Sequence, residues 1–402
     1  MPSAASAATV RVGILLTAVV GMGALSIDML LPSLPALAGA FGSDAGTAQL
    51  TVTLFLIGMA AAQLLFGPLS DRFGRRRVLI GGLALYTLAG AACAVAPDMG
   101  TLLAARVVQA VGAGSGPVVA RAIVRDLYER ERAARMLAAM GVAQALTPIL
   151  APVLGGWVHV AAGWRAVFVV LAGFGTLFLL GAVAIVRETN VHAGPRAPRR
   201  SDEPSRLARL LTDRAFVGYV AVMALMFSGQ FAFIAGSSFA LIAVLGVSPQ
   251  IYGLCFGAVA VGLMTGNVVS IRLTARLGID RMILAGTLFG ATAGVVLAVL
   301  PWLGIATVPT VIVPMFGYAL GLGLVFPNAM AGAIAPYPLM AGTASAVVGF
   351  VQMTGSALYT IAVGHFDDGT LRPMTTAVAT AGIAALAGFW LLTWRRDRSP
   401  AA

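Results

Sequence analysis

Twelve windows of about 20 mostly apolar residues follow one another along this chain, and that succession limits what it can fold into. They lie near residues 11–32, 48–68, 78–97, 100–121, 138–159, 165–187, 215–241, 252–272, 282–301, 309–330, 343–364 and 374–394. A helix of that length, rising about 1.5 Å per residue, crosses the ~30 Å of hydrocarbon in a bilayer. Lipid offers the backbone no hydrogen-bond partners, so each crossing must satisfy its own peptide groups, and runs this long do so as helices. Composition agrees: 59% hydrophobic residues, 10% charged residues and a mean hydropathy of +0.94 lie outside the range of soluble domains. The expectation is an all-α integral membrane chain of twelve transmembrane helices. Met1 to Val10 carry no positive leader or cleavage site, so the first apolar run is expected to remain as a span.

A net charge of +11 would suggest nucleic-acid binding in a soluble protein, so the placement of the charge decides its meaning. All 26 cations are Arg. With the amino terminus in the cytoplasm, all but Arg106, Arg165 and Arg372 fall in termini and loops on that side, Arg11 at the start and the rest in clusters at 72–77, 121–135, 187–214, 272–281 and 395–398. This positive-inside bias places both termini in the cytoplasm of a cell inner membrane, and it makes lipid headgroups, not nucleic acid, the expected partner of the Arg clusters.

The stretch from Arg187 to Arg214 is charged, contains Pro195, Pro198 and Pro204, and has no long apolar run, so it reads as a linker. The expected division is a six-helix bundle over 1–190, a cytoplasmic linker over 191–213 and a second six-helix bundle over 214–402. An internal repeat agrees. The segment Arg272 to Arg281 lies 204 residues after Pro68 to Arg77, aligning Arg276 with Arg72 and Gly278 with Gly74, although Ala275 replaces Asp71. Two parallel halves built from inverted repeats place a substrate site near the bilayer midplane.

Few residues inside the spans can carry chemistry. Asp28 is the one acid of 15 well inside an apolar run, about four residues from its expected outer end. Burial disfavours the charged form of an acid, so such a carboxyl group can exchange protons near neutral pH; it could also merely cap or pair near the outer surface. Arg106, about six residues into the fourth span, is expected at similar depth. It holds a permanent charge that answers a carboxylate or an anionic substrate, or fixes helix register as a static pair. Gln63, Gln109, Gln144, Gln230, Asn267, Asn328 and Gln352 are the other polar side chains within spans, and each more commonly joins helices than binds a ligand. Phe227, Phe231, Phe233 and Phe326, with Met226 and Met353, could line an adaptable pocket or face lipid. Cys93 and Cys255 fall within spans, which argues against a disulfide or a Cys-based metal site. No Walker A sequence occurs and no His, Cys or carboxylate cluster lies within the spans, so no cofactor, metal or enzymatic chemistry is expected.

Residues 67–77, Gly-Pro-Leu-Ser-Asp-Arg-Phe-Gly-Arg-Arg-Arg, resemble the loop between the second and third spans of the major facilitator superfamily. Arg106, Gln109 and Gly112 are similar to that superfamily's R-x-x-Q-x-x-G pattern. Ser26 to Pro35 and Arg121 to Asp126 resemble the first-span and fourth-span signatures of its Bcr/CflA drug-resistance group. Pro148, Pro152, Gly155 and Gly156 are similar to the fifth-span motif that marks antiporters. The likeness runs from about residue 20 to 390 and includes Phe326 to Ala329 and Gly342 to Ala346, which are weaker.

This resemblance implies two pseudo-symmetric bundles and a monomer that exports small amphipathic drug-like compounds in exchange for protons. A dedicated exporter of one metabolite, metallophore or amino acid fits the same residues, the antiporter-like fifth span argues against a proton symporter, and a non-transporting membrane sensor is a rival of another class. From their place within the spans, Asp28 is expected to couple protons and Arg106, Gln109, Gln230, Phe231, Asn328 and Gln352 to face the substrate. The resemblance implies that Asp71, Arg72, Arg75 and Asp126 form a latch, in which the acid matching Asp71 meets a helix start in the other half and the Arg matching Arg75 pairs with the acid matching Asp126.

Overall fold

A computed structural model describes residues 4–190, 210–337 and 340–394. Most of the expected linker, 191–209, and the terminal Arg395, Arg396 and Arg398 lie outside the described residues. The described chain is helical, with no strand. Eleven of its helices are long and apolar enough to span a membrane. One of them, Arg135–Ile185, holds the fifth and sixth spans, separated at Gly163, where φ 78° and ψ 176° leave the helical region. Twelve crossings result.

The first span differs from expectation. It reaches from Arg11 to Phe41 and does not stop near residue 32. Pro32 has no N–H for the carbonyl of Asp28, four residues back, and Pro35 has none for that of Leu31. The prolines interrupt the span without ending it. The helix Ala4–Asp28 stops, one 3₁₀ turn covers Leu31–Ser33, and a helix resumes over Leu34–Phe41 with proline in its first turn, where a missing N–H costs nothing. Gly42 closes it with φ 60°. Asp28 therefore lies 13 residues from the outer end of its span and 17 from Arg11, not four from the end.

The remaining crossings are built on the helices Ala45–Phe73, Arg75–Ala94, Met99–Leu127, the two parts of Arg130–Ile185, then Arg214–Ser238, Pro249–Leu277, Ile279–Trp302, Val308–Ile334, Ala341–His365 and Arg372–Phe389. The second and fourth spans start on Asp44 and Asp98, whose carboxylates accept the N–H of Thr47 at 2.6 Å and of Thr101 at 2.9 Å. Those hydrogen bonds favour the ionised form and hold both groups below the usual carboxylate range.

The described chain clusters into two units, 1–197 with 249–253, and 198–248 with 254–402. Within the first, the third span packs on the fourth, the second on the fourth, and the first on the fifth and sixth. Within the second, the ninth packs on the tenth and twelfth, and the seventh on the tenth, eleventh and twelfth. Lipid supplies no hydrophobic drive between helices, so close contact depends on small residues. Gly112 lies on the backbone of Gly82 and Tyr86 in the first unit, and Gly321 on that of Gly286 and Gly290 in the second. The repeat is also visible in backbone conformation. Gly74 (φ 95°, ψ 149°) and Gly278 (φ 83°, ψ 163°) make the same left-handed connection between helices, which a side chain would strain.

Candidate functional site

The break in the first span leaves Asp28 at a helix end near mid-membrane. It is 5% exposed, and its carboxylate has no hydrogen-bond or ion-pair partner among the described residues. The fifth span lies against this break. Gly155 packs on the carbonyl of Met29 so closely that a Cβ would overlap it, and Gln144 Nε2 donates to the carbonyl of Val20 at 3.4 Å. Gly156 lies in the same way against the carbonyl of Pro249, a residue that clusters with the first unit. Pro148 and Pro152 are inside the helix, and Pro152 is buried.

Arg106 is fully buried and is satisfied without a carboxylate. Its Nη1 donates to Gln109 Oε1 at 2.7 Å, its Nη2 to the carbonyl of Ser26 at 3.3 Å and its Nε to the carbonyl of Thr51 at 3.4 Å. The guanidinium lies 4.1 Å from the ring centre of Phe55 and 5.8 Å from that of Phe168. Hydrogen bonds to a charged group contribute about 1.5–3 kcal/mol each, and a desolvated cation–π contact about 2. Together they offset the several kcal/mol that a buried cation costs. Ser26 also hydrogen-bonds Tyr86 through their hydroxyls at 2.7 Å. The cation thus ties the first, second, fourth and sixth spans into one shell two residues from Asp28. Among the described residues no acid lies within 4.0 Å of Arg106 to form an ion pair. Gln109 Nε2 is buried without a partner, in space that Gly90 leaves open.

In the second unit Gln230 and Phe231 are 8% exposed, and Gln230 Oε1 has no partner. Phe227 joins Phe231 (5.0 Å between ring centres) and Phe326 (6.0 Å) in one aromatic cluster. Gln352 is buried on the eleventh span. Asn328 is committed elsewhere. Its Nδ2 donates to Ser270 Oγ at 2.7 Å and to the carbonyl of Leu324 at 2.8 Å, and its Oδ1 accepts from Thr274 at 3.0 Å, so it ties the tenth span to the eighth.

The loop at 67–77 brings three of its expected partners together. Arg75 Nη2 pairs with Asp71 at 2.7 Å and Nε with Asp126 at 3.2 Å. Arg72 is exposed and lies over Phe73. The sequence reading missed the chain after the sixth span, which straps this cluster. Glu188 accepts the backbone N–H of Arg75 at 2.8 Å and of Arg76 at 3.2 Å, Thr189 donates to Asp126 at 3.1 Å, and Asn190 donates to the carbonyl of Asp71 at 2.9 Å. Arg76 returns bonds to the carbonyls of Val186 and Val183. Burial alone would raise the Glu188 carboxyl group, but the N–H groups of Asn190, Arg75, Arg76 and Thr189 outweigh it and hold the group below the usual range. One signal was available: the third span starts with Gly74 and three Arg at the positive end of its dipole, so it needs an acid from elsewhere.

Among the described residues no three of His, Cys, Asp and Glu converge to hold a metal ion. Residues 16–360 match the family described as Major Facilitator Superfamily. The chain is 30% identical over 374 residues to the uncharacterized MFS-type transporter YdgK of Bacillus subtilis, covering 92% of each protein. It is 33% identical over 337 residues to the multidrug resistance protein MdtL of Escherichia coli, covering 83% of each. Its fold is similar to that of a D-xylose–proton symporter (TM-score 0.75, 19% identity, 95% of this chain and 97% of the other) and of the peptide transporter POT (0.77, 16%, 96% and 94%). The chain belongs to the major facilitator superfamily of membrane transporters.

Proposed function

We propose that the protein is a proton-coupled antiporter of the cell inner membrane, of the Bcr/CflA type, that exports small amphipathic compounds by alternating access with both termini in the cytoplasm. The observation that carries this reading is Asp28: a carboxylate 13 residues from the end of its span, at a helix break, with no partner among the described residues. An acid so placed is costly to ionise and has nothing to do structurally, which suits a group that alternates between proton and counter-charge. Arg106, one of whose acceptors is the carbonyl of Ser26 two residues before Asp28, holds a fixed positive charge in the same unit. Gln230 and the Phe227, Phe231 and Phe326 cluster offer an acceptor and a soft aromatic wall for cargo. Export, rather than uptake, is favoured by the likeness of the Pro148 to Gly156 segment, whose Gly155 lies on the break beside Asp28, to the antiporter motif. The name multidrug resistance protein, borne by a relative at 33% identity, agrees. Each charge moved across ~100 mV supplies ~2.3 kcal/mol.

Cells with and without the protein, exposed to a panel of chemically varied compounds, test export directly. Purified Asp28→Asn tests the coupling. The variant is expected to stay folded and to lose substrate-dependent proton release, and unchanged gradient-driven transport would remove Asp28 from the mechanism.

A further inference from the structure

The eleventh and twelfth spans are consecutive in the chain, yet they touch each other little. Each packs instead on the seventh. The groove left between their ends has a volume of about 520 Å³, within the ~300–1,000 Å³ usual for ligand sites. Its walls are apolar and aromatic, from Leu358, Tyr359 and Phe366, with Trp302 from the end of the ninth span. Leu358 is 61% exposed, Phe366 68% and Trp302 59%, so the groove opens on the surface of its unit, where a membrane helix meets lipid. By parity the loop over 366–371 is on the face opposite the linker, at the level where the helices end and headgroups begin.

That rim carries Arg372 and two neighbouring acids, Asp367 and Asp368, of which Asp368 and Arg372 line the groove. The Arg372 guanidinium lies 4.6 Å from the ring centre of Trp302 and has no acid within 4.0 Å among the described residues. Asp368 uses one oxygen, Oδ1, to accept from the N–H and hydroxyl of Thr370, at 2.9 and 2.6 Å, and its Oδ2 has no partner. Asp368 and Arg372 lie on a short turn above an apolar slot, near enough to attract each other but not joined as an ion pair within 4.0 Å. An amphiphile that matches them needs an anion and a hydrogen-bonding cation a few bonds apart, with a hydrocarbon body below.

We propose that this groove binds phosphatidylethanolamine, with the lipid phosphate on Arg372, the ammonium on Asp368 and an acyl chain along Leu358, Tyr359 and Phe366. Phosphatidylcholine has the same charges, but its quaternary nitrogen has no N–H to donate to Asp368. Phosphatidylglycerol would satisfy Arg372 and bring its anionic charge to Asp368 with no cation in return.

The test uses the full-length protein, delipidated in detergent and titrated with each of the three lipids at matched chain length, with bound lipid counted by native mass spectrometry. One phosphatidylethanolamine per chain is expected, favoured about fivefold over the other two, the size of one exposed charge pair. Asp368→Asn should erase the preference over phosphatidylcholine, and Arg372→Gln should weaken all three lipids. Ala362→Trp, which fills the groove from its own lining, should abolish the bound lipid. Both rim residues are exposed, so these variants leave the helix packing intact. Equal retention of the three lipids, a preference for phosphatidylglycerol, or full retention in Ala362→Trp would overturn the assignment.

Discussion

Gly155 of the fifth span rests on the backbone carbonyl of Met29, the residue that follows Asp28. Backbone meets backbone there, so neither side can rotate away from an added methyl group. Gly155→Ala is expected to destabilise the protein by about 1–3 kcal/mol as an overpacked contact and to displace the break that presents Asp28. Gly173, in the sixth span, has open space where its Cβ would be, so Gly173→Ala should be neutral or slightly stabilising. Thermal melting and transport of the two variants check this. Equal behaviour would mean that the fifth span does not support the break.

Arg106 separates structural from functional burial. Three carbonyl-type acceptors and two rings hold it, with no acid in reach among the described residues. Removing the cation leaves Gln109 Oε1 and the carbonyls of Ser26 and Thr51 without this buried donor, at a cost of about 1–3 kcal/mol each. Arg106→Met should therefore lower the melting temperature, and transport should be lost even where the variant remains folded. Arg106→Lys should rescue little, because one ammonium cannot reach the carbonyl of Ser26, the carbonyl of Thr51 and Gln109 together. Full transport by a folded Met variant would make Arg106 a packing residue only.

The crossings were legible because a bilayer demands length and apolarity and little else. The first span, expected from apolar length to end near residue 32, runs on to Phe41 through Pro32 and Pro35. Proline removes individual helix bonds, and a span that is still apolar to Phe41 continues past them. Asp28 and Arg106 stood out as charges in apolar runs. Their surroundings did not, since Ser26, Thr51, Phe55, Tyr86 and Phe168 are ordinary span residues until the fold gathers them. Asn328 looked like Gln230 in sequence, and only the neighbouring Ser270 and Thr274 distinguish the satisfied amide from the one with a free oxygen.

Glu188 gives a pH dependence with a definite sign. Its folded carboxyl group titrates below its unfolded value near 4.3, so the stabilisation it gives is present above that value and fades as pH falls through the lowered one. Glu188→Gln should lower the melting temperature at pH 7, and the gap to the parent protein should close as pH falls below the unfolded value near 4.3. A gap that persists unchanged in acid would mean that the strap is held by Thr189 and Asn190 and not by the carboxylate.

Asp71, Arg75 and Asp126 meet on one guanidinium, and we expect the cluster to set the balance between inward-open and outward-open states. Partly exposed pairs of this kind contribute about 0.2–1 kcal/mol each. That cannot lock a conformation, but ~1 kcal/mol changes a two-state ratio about fivefold. Asp71→Asn or Asp126→Asn should therefore slow turnover severalfold and leave substrate affinity nearly unchanged. Because both acids share Arg75, the double variant should cost less than the two single effects combined. Single cysteines placed on either face of a Cys93→Ala, Cys255→Ala background would report the balance through their labelling rates. Unchanged labelling and turnover in both acid variants would leave the cluster as no more than a topology signal, with the strap from Glu188 to Asn190 holding the loop on its own.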